Sequence, residues 1–338
     1  MKARAVALAA LLALAATAKD RIGAIDFFGY KGIDTARLRA AIPYKEGDRF
    51  AISMKTAKAV KQRVERAVKR VTGGPATDVG MVCCDKQGDW EFYIGLRGIS
   101  FREIRLTPEP VGKDRLPAAA LALYDGYMKE WMRTVSAGTA TEDDSGGYSL
   151  SNDPALRAAQ MQMRAYVLEN EALVLRVLES SGDEEHRTAA AALLGYANHS
   201  KAQIAALVAA TRDEGNLVRN NATRALGVMA ASGGDGARDI PAGPFIEMLS
   251  SGTWTDRNKG LMVLSTLTER RGLVIERLRE EALDSLFEMA LWQCPDHSEP
   301  AVVLLGRMAG IDETRLMELV KTGQRKTILD AAARIRRN

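Results

Sequence analysis

EEHRTAAAALLGYANHSKAQIAALVAATRDEGNLVRNNATRALGVMA, residues 184–230, holds two near copies of one helix. The first runs from His186 to Gly195 and the second from Val218 to Gly227. Arg187 and Arg219 stand 32 residues apart, and so do Gly195 and Gly227. A helical pattern repeating at that length predicts stacked helix pairs, each burying the open face of its neighbour. Within the second copy Val218, Ala222, Ala225, Leu226 and Met229 share one helix face, the i, i+3, i+4 spacing of a buried stripe. The many alanines let neighbouring helices approach closely. A second helix follows each copy. Ala202 to Arg212 carries Ile204, Leu207 and Val208, and Pro244 to Leu249 carries Phe245, Ile246 and Leu249 behind the breaker Gly233-Gly234-Asp235-Gly236.

The pattern continues in both directions. Asp256-Arg257-Asn258-Lys259-Gly260-Leu261 leads into Val263, Leu264 and Leu267, a third copy without a closing glycine. Glu299 to Gly306 gives a fourth, and Asp153 to Ala159 fits the start of an earlier first helix. An arginine followed by small residues and a closing Ala-Leu-Gly resembles the HEAT-repeat family, an armadillo-type α-solenoid. The resemblance covers roughly Asn152 to Ile335. It implies an all-α superhelix over residues 154–338, with Arg187, Arg219 and Arg257 at structural repeat positions. Arg187 and Arg219 should then bond loop carbonyls or an acid such as Asp213 rather than a ligand. A non-repeating helical bundle is the alternative.

A chain of 338 residues is long for one core, so two domains are expected. Hydrophobic content of 46% and charge of 27% are ordinary for a globular protein, and a net charge of +4 is too small to argue for nucleic acid. Residues 1–18 read as a secretory signal peptide. Lys2 and Arg4 precede the apolar run Ala5 to Ala16, and Ala16-Thr17-Ala18 has the form of a cleavage site. The mature chain is expected to start near Lys19 and to be periplasmic or secreted. No later run is long and apolar enough for a membrane span.

Residues 19–106 change character. Ile22 to Gly29 reads as a strand, Asp34 caps a short helix ending at Pro43, and Ser53 caps a long one. Asp78 to Cys84 and Trp90 to Leu96 read as strands joined around Lys86-Gln87-Gly88-Asp89. The order β-α-α-β-β, with Phe28-Gly29 closing the first strand and Gly47-Asp48-Arg49-Phe50 before the second helix, resembles a POTRA domain. That family binds polypeptides outside the cytoplasm. The resemblance implies a central last strand and an outer second strand. Asp78, Val79, Gly80, Met81, Val82, Cys83 and Cys84 are therefore the candidate partner-binding edge, a stretch without the Lys or Pro that blunts exposed edges. The nearest candidate cover is Thr107 to Pro117, whose Pro108, Pro110 and Pro117 prevent pairing along its length. On the long helix Lys55, Lys58, Lys61, Arg63, Arg66, Lys69 and Arg70 face one acid, Glu65. Lys55, Lys58, Arg66 and Lys69 mark a candidate basic face for weak contact with an anionic envelope surface. Residues 107–153 are expected to be a connecting helix and a mobile loop, the latter from Ala137 to Asp153.

Sequence motifs point to no chemistry. Gly-x-Ser-x-Gly, Ser-x-x-Lys, His-Glu-x-x-His, a P-loop and Gly-x-Gly-x-x-Gly are all missing. His186 and His199 bracket one predicted helix about 20 Å apart. Cys294 and His297 form a Cys-x-x-His pair, half of a zinc site with no second pair in view. The three cysteines read as two buried thiols and one exposed. We therefore expect no catalytic residue, cofactor or metal. The expected function is an exported non-catalytic scaffold that binds a protein or peptide through a helical-repeat surface and the POTRA-like module, without nucleic acid. An exported enzyme or regulatory subunit of an enzyme, lacking a short motif, is the second reading.

Overall fold

The computed structural model describes residues 21–335 apart from 51–52, 84–87 and 270–271, so the expected signal peptide lies outside the described residues. A small mixed sheet comes first and many helices follow. Strand β1 (Ile22–Phe28) leads to helix α1 (Thr35–Ala41), helix α2 (Met54–Thr72), strand β2 (Val79–Val82) and strand β3 (Trp90–Gly95). Local chemistry sets these boundaries. The Asp34 carboxylate accepts the Arg37 N–H, Ser53 and Thr56 form a capping box, and Gly73 closes α2 at φ 80°. The sheet order is β1-β3-β2, with β1 parallel and β2 antiparallel to β3.

Every residue of β3 is buried, so both faces of the sheet are covered. Strand alternation sends Ile25, Phe27, Phe92 and Ile94 to one face, where Val60, Val64 and Ala67 of α2 meet them. Asp26, Phe28, Glu91 and Tyr93 go to the other. That second face would be wet in an isolated module. Here the ring of Tyr93 stacks on Trp254 with centroids 5.0 Å apart, and Phe28 lies edge-on to Trp292 at 6.5 Å.

The helical part comprises α3 (Ala118–Ser136), α4 (Pro154–Ser180), α5 (Glu184–Leu194), α6 (Lys201–Ala210), α7 (Asn216–Ser232), α8 (Gly243–Met248), α9 (Trp254–Leu267), α10 (Gly272–Glu281), α11 (Leu283–Ala290), α12 (Pro295–Met308), α13 (Glu313–Lys321) and α14 (Arg325–Ile335). Helices α5, α7, α9 and α12 lie side by side in that order. The repeated glycines mark where they touch. A Cβ at Gly195 would come 3.2 Å from the Ala225 Cβ of α7, and one at Gly227 would come 3.3 Å from Val263 of α9. Among the described residues no helix is long and apolar enough to cross a membrane.

One apolar cluster, with Ile25, Phe92 and Val64, lies between the sheet and α2, and a second runs from Phe28 and Tyr93 of the sheet to Ile328 and Ala332 of α14, so the two parts also share packing. A three-stranded sheet with helices on one face must bury the other, and α9 and α11 do this. The stretch Ala137 to Asp153, read from the sequence as a loop, has local structure of its own. It holds a short hairpin, β4 (Glu142–Asp143) and β5 (Leu150–Ser151). Glu142 ties it to the helices, pairing with Arg224 of α7 at 2.5 Å and accepting the Gln160 amide of α4 at 2.6 Å.

Thr107 to Pro117 lies away from β2. With Arg102 it forms an extended strap across the loops that precede the first helices. The Arg102 N–H donates to Ser250 O, Thr107 to Arg212 O and Gly112 to Ser180 O, at 2.7–2.9 Å. The strap thus meets the loops before α9, α7 and α5, in reverse chain order. Pro108 and Pro110 fit there because only every fifth residue or so needs a donor.

Candidate functional site

The three repeat arginines occupy equivalent places. Each donates to the carbonyl six residues before it: Arg187 to Ser181 at 2.8 Å, Arg219 to Asp213 at 2.7 Å and Arg257 to Ser251 at 2.6 Å. Each also faces an acid of the next layer. Arg187 grips Asp213 through Nε and Nη2 at 2.8 and 3.0 Å, and Arg219 grips Asp256 likewise at 3.0 and 3.1 Å. Asp213 therefore accepts Arg187 on its side chain and Arg219 on its backbone. These are buried, bidentate, charge-assisted bonds, and they fix the spacing between layers.

The third rung is diverted toward the sheet. Arg257 reaches Glu288 only at 3.6 Å, while its Nη2 donates to Ser100 O at 3.2 Å and its guanidinium lies 5.0 Å from the Phe28 ring centre. Burial lowers Arg257 to about 10. The Glu288 carboxylate instead accepts three consecutive backbone N–H groups at the end of β1: Gly29 at 2.7 Å, Tyr30 at 2.9 Å and Lys31 at 2.7 Å. The Ser100 hydroxyl donates to it as well. Gly29 makes the cradle possible. Its φ is 68°, and a Cβ there would meet Leu96 O at 2.3 Å.

Among the described residues β2 is one of the two outer strands of the sheet, β1 being the other, and it pairs with β3 alone. The regular strand is shorter than the candidate edge, Val79–Val82. Asp78 is turned inward, its carboxylate accepting the Trp254 N–H at 2.9 Å. Cys83 is disulfide-bonded and Cys294 is a buried free thiol, so the reading of three thiols is corrected; Cys84 lies outside the described residues. Gly95 N–H donates to Asp78 O. Alternation along an antiparallel pair then turns Gly80 and Val82 toward β3 and the backbone of Met81 outward. Helix α2 runs beside this strand. Lys55, Lys58, Lys61, Arg63, Arg66, Lys69 and Arg70 are all exposed on it.

Sequence reasoning missed a polar cluster between the sheet and the helices. Tyr93 Oη lies 2.9 Å from Glu91 Oε2 and 2.7 Å from His297 Nδ1, and that Nδ1 lies 3.0 Å from Glu91 Oε2. Burial pushes the Cys294 thiol up to about 12, with the Glu91 charge adding to it. Burial also drives the Tyr93 phenol far above its ordinary value. Burial alone would raise Glu91, but hydrogen bonds from His297, Cys294 and Tyr93 outweigh it and hold that carboxyl below its usual range. The other histidines serve elsewhere. His186 Nδ1 accepts the Leu116 N–H at 2.9 Å, and His199 Nε2 lies 2.9 Å from Gly147 O. A surface cleft of about 370 Å³ opens near the Glu288 cradle, lined by Lys31, Ser100, Arg279 and Asp284. It does not include the cluster.

Asp26, on the same sheet face, gives a pH test. Its carboxylate accepts the Gln293 N–H at 2.7 Å. Burial raises it from 3.8 to about 6, helped by Glu91 and opposed by Gln293 and Arg39; Arg325 also senses its charge. The folded chain holds this proton more tightly than the unfolded chain does. Its contribution to stability is therefore complete below the unfolded value and is lost as pH rises from about 4 to about 6. Asp26→Asn is expected to be more stable than the parent by on the order of 1–3 kcal/mol at about pH 8, and to show no advantage at about pH 4. Urea unfolding at both pH values measures this. A constant difference would show that the buried charge costs nothing.

Compared with known proteins, the chain matches no family model and no curated relative.

Proposed function

We propose that the chain is an exported, non-catalytic scaffold that binds an extended polypeptide. In this reading a POTRA-like module rides on a HEAT-like helical array, and β2 accepts a partner strand. The observation that carries it is the place of β2 as an outer strand of its sheet, beside the basic helix α2. Strand addition uses backbone hydrogen bonds for affinity and leaves selection to the flanking surface. That surface is α2, whose seven exposed cations favour a segment carrying acidic side chains. The array supplies rigidity: buried Arg–Asp rungs lock its layers, and Trp254 and Trp292 back the sheet. The same basic face supports a weak contact with an anionic envelope surface, in keeping with the export signal read from the sequence.

The register decides the test. A proline at Val82 would remove a ladder bond to β3. A proline at Met81 removes an outward donor and spares the ladder to β3, but also loses a partly buried side chain packed on the module's core. Met81→Pro is expected to stay folded with a lowered melting temperature and to weaken binding of displayed acidic peptides by about tenfold or more, whereas Met81→Ala, which keeps the donor, binds them like the parent. Equal enrichment of such peptides on parent and Met81→Pro would sink the reading.

A further inference from the structure

We propose that Glu91, Cys294 and His297 form a binding site for a zinc-class divalent ion. The carboxylate, thiol and imidazole donor atoms all lie within 4.8 Å of one another. Two elements bring them together. Cys294 is the N-cap of α12 and His297 sits in its first turn, so spacing of three residues puts both on one side of the helix. Glu91 comes from β3, whose inner face presses against that helix start. The sequence shows the Cys-x-x-His half alone. The third donor is more than 200 residues earlier, which is why spacing could not reveal it.

The donor set selects the ion. One sulfur, one imidazole nitrogen and one carboxylate oxygen suit zinc, whereas magnesium and calcium want oxygen alone. Ligand separations in a tetrahedral zinc site are about 3–4 Å. The 3.0 Å between Glu91 Oε2 and His297 Nδ1 is already at the lower end. Tyr93 Oη, 2.7 Å from that nitrogen and 2.9 Å from that oxygen, marks the fourth corner, held by the phenol or by a water in its place. Charge also favours the ion. A thiolate and a carboxylate neutralise a divalent cation, so the occupied site carries no net charge into the protein interior.

Binding is an exchange without oxidation or reduction. The S–H bond of Cys294 breaks, a sulfur–metal bond forms, and the thiol proton leaves to solvent. The side chain of His297 is 21% exposed and provides the way in. Cys294 cannot be consumed by the disulfide, which involves Cys83. The bound ion would clasp the sheet to α12. This site is independent of peptide binding at β2.

The test uses the full chain after chelator treatment and dialysis. Titration with zinc chloride by calorimetry is expected to show one ion per chain. Cobalt chloride is expected to give a thiolate-to-metal charge-transfer band. Cys294→Ser should abolish that band and weaken zinc by at least about tenfold, and His297→Gln should weaken zinc similarly while the band persists. The parent protein provides a reading that needs no variant: zinc should slow iodoacetamide alkylation of Cys294, followed by peptide mass. No saturable one-to-one binding would overturn the proposal. So would a cobalt band that survives Cys294→Ser, or alkylation that zinc leaves unchanged.

Discussion

Replacing Glu288 with alanine is expected to lower the stability of the folded chain by about 3–5 kcal/mol. The size follows from what the carboxylate holds. Three backbone N–H groups at Gly29, Tyr30 and Lys31, the Ser100 hydroxyl and the Arg257 guanidinium all converge on it. Alanine leaves a buried cation without its acid and several buried donors without an acceptor, each a separate cost. Glutamine should fall between the two, because its amide keeps one acceptor oxygen but turns an N–H₂ toward donors. Urea unfolding gives the magnitude. Hydrogen exchange gives the location: the amides of Gly29, Tyr30 and Lys31 should lose protection first. A loss under about 1 kcal/mol would show that water can replace the carboxylate in that cradle.

Arg219→Ala should have an effect of the same order, about 3–5 kcal/mol. The guanidinium is bound by both oxygens of Asp256 and by the carbonyls of Asp213 and Glu214. Its removal strands a carboxylate that is 1% exposed. The second half of the measurement is a double-mutant cycle. Arg219→Ala combined with Asp256→Ala should be less damaging than the sum of the two by more than about 1 kcal/mol, since the stranded charge then disappears. Additive losses would mean that Arg219 acts mainly through the two carbonyls. Arg257 is the natural comparison, because its acid lies farther away and is shared with β1.

These two residues also show what could be read in advance. Arg219 was legible because its neighbours recur: an arginine, small residues and a glycine at one spacing, with the carbonyl acceptor always six residues back. The acid partners were less so, since they stand 26 to 37 residues downstream of Arg187 and Arg219. The helices and strands of the first module follow from caps and alternation, and β2 lies at one edge of the sheet with β1 at the other. Glu288 was not legible at all. Nothing within its own helix distinguishes it, and the three backbone donors it accepts are more than 250 residues earlier. The same holds for the Tyr93–His297 contact, 204 residues apart in sequence. The hairpin at Glu142 and the strap before Pro117 were not legible, because polar, proline-bearing stretches look like loops until their partners are known. Local chemistry fixed the elements, and distant chemistry fixed the junctions.

The tryptophans that cover the sheet carry a consequence for biosynthesis. Phe28 and Tyr93 are made early, but the rings that cover them belong to Trp254 and Trp292. A chain growing from its amino terminus must therefore display that aromatic face for most of its synthesis. The strap has the same problem, since its acceptor at Ser250 is also made late. Contacts of such long sequence separation form slowly, and exposed apolar surface in the interval invites misassembly. The amino-terminal module can close its own cluster between the sheet and α2 early, but its second face is covered only when the far end of the chain arrives.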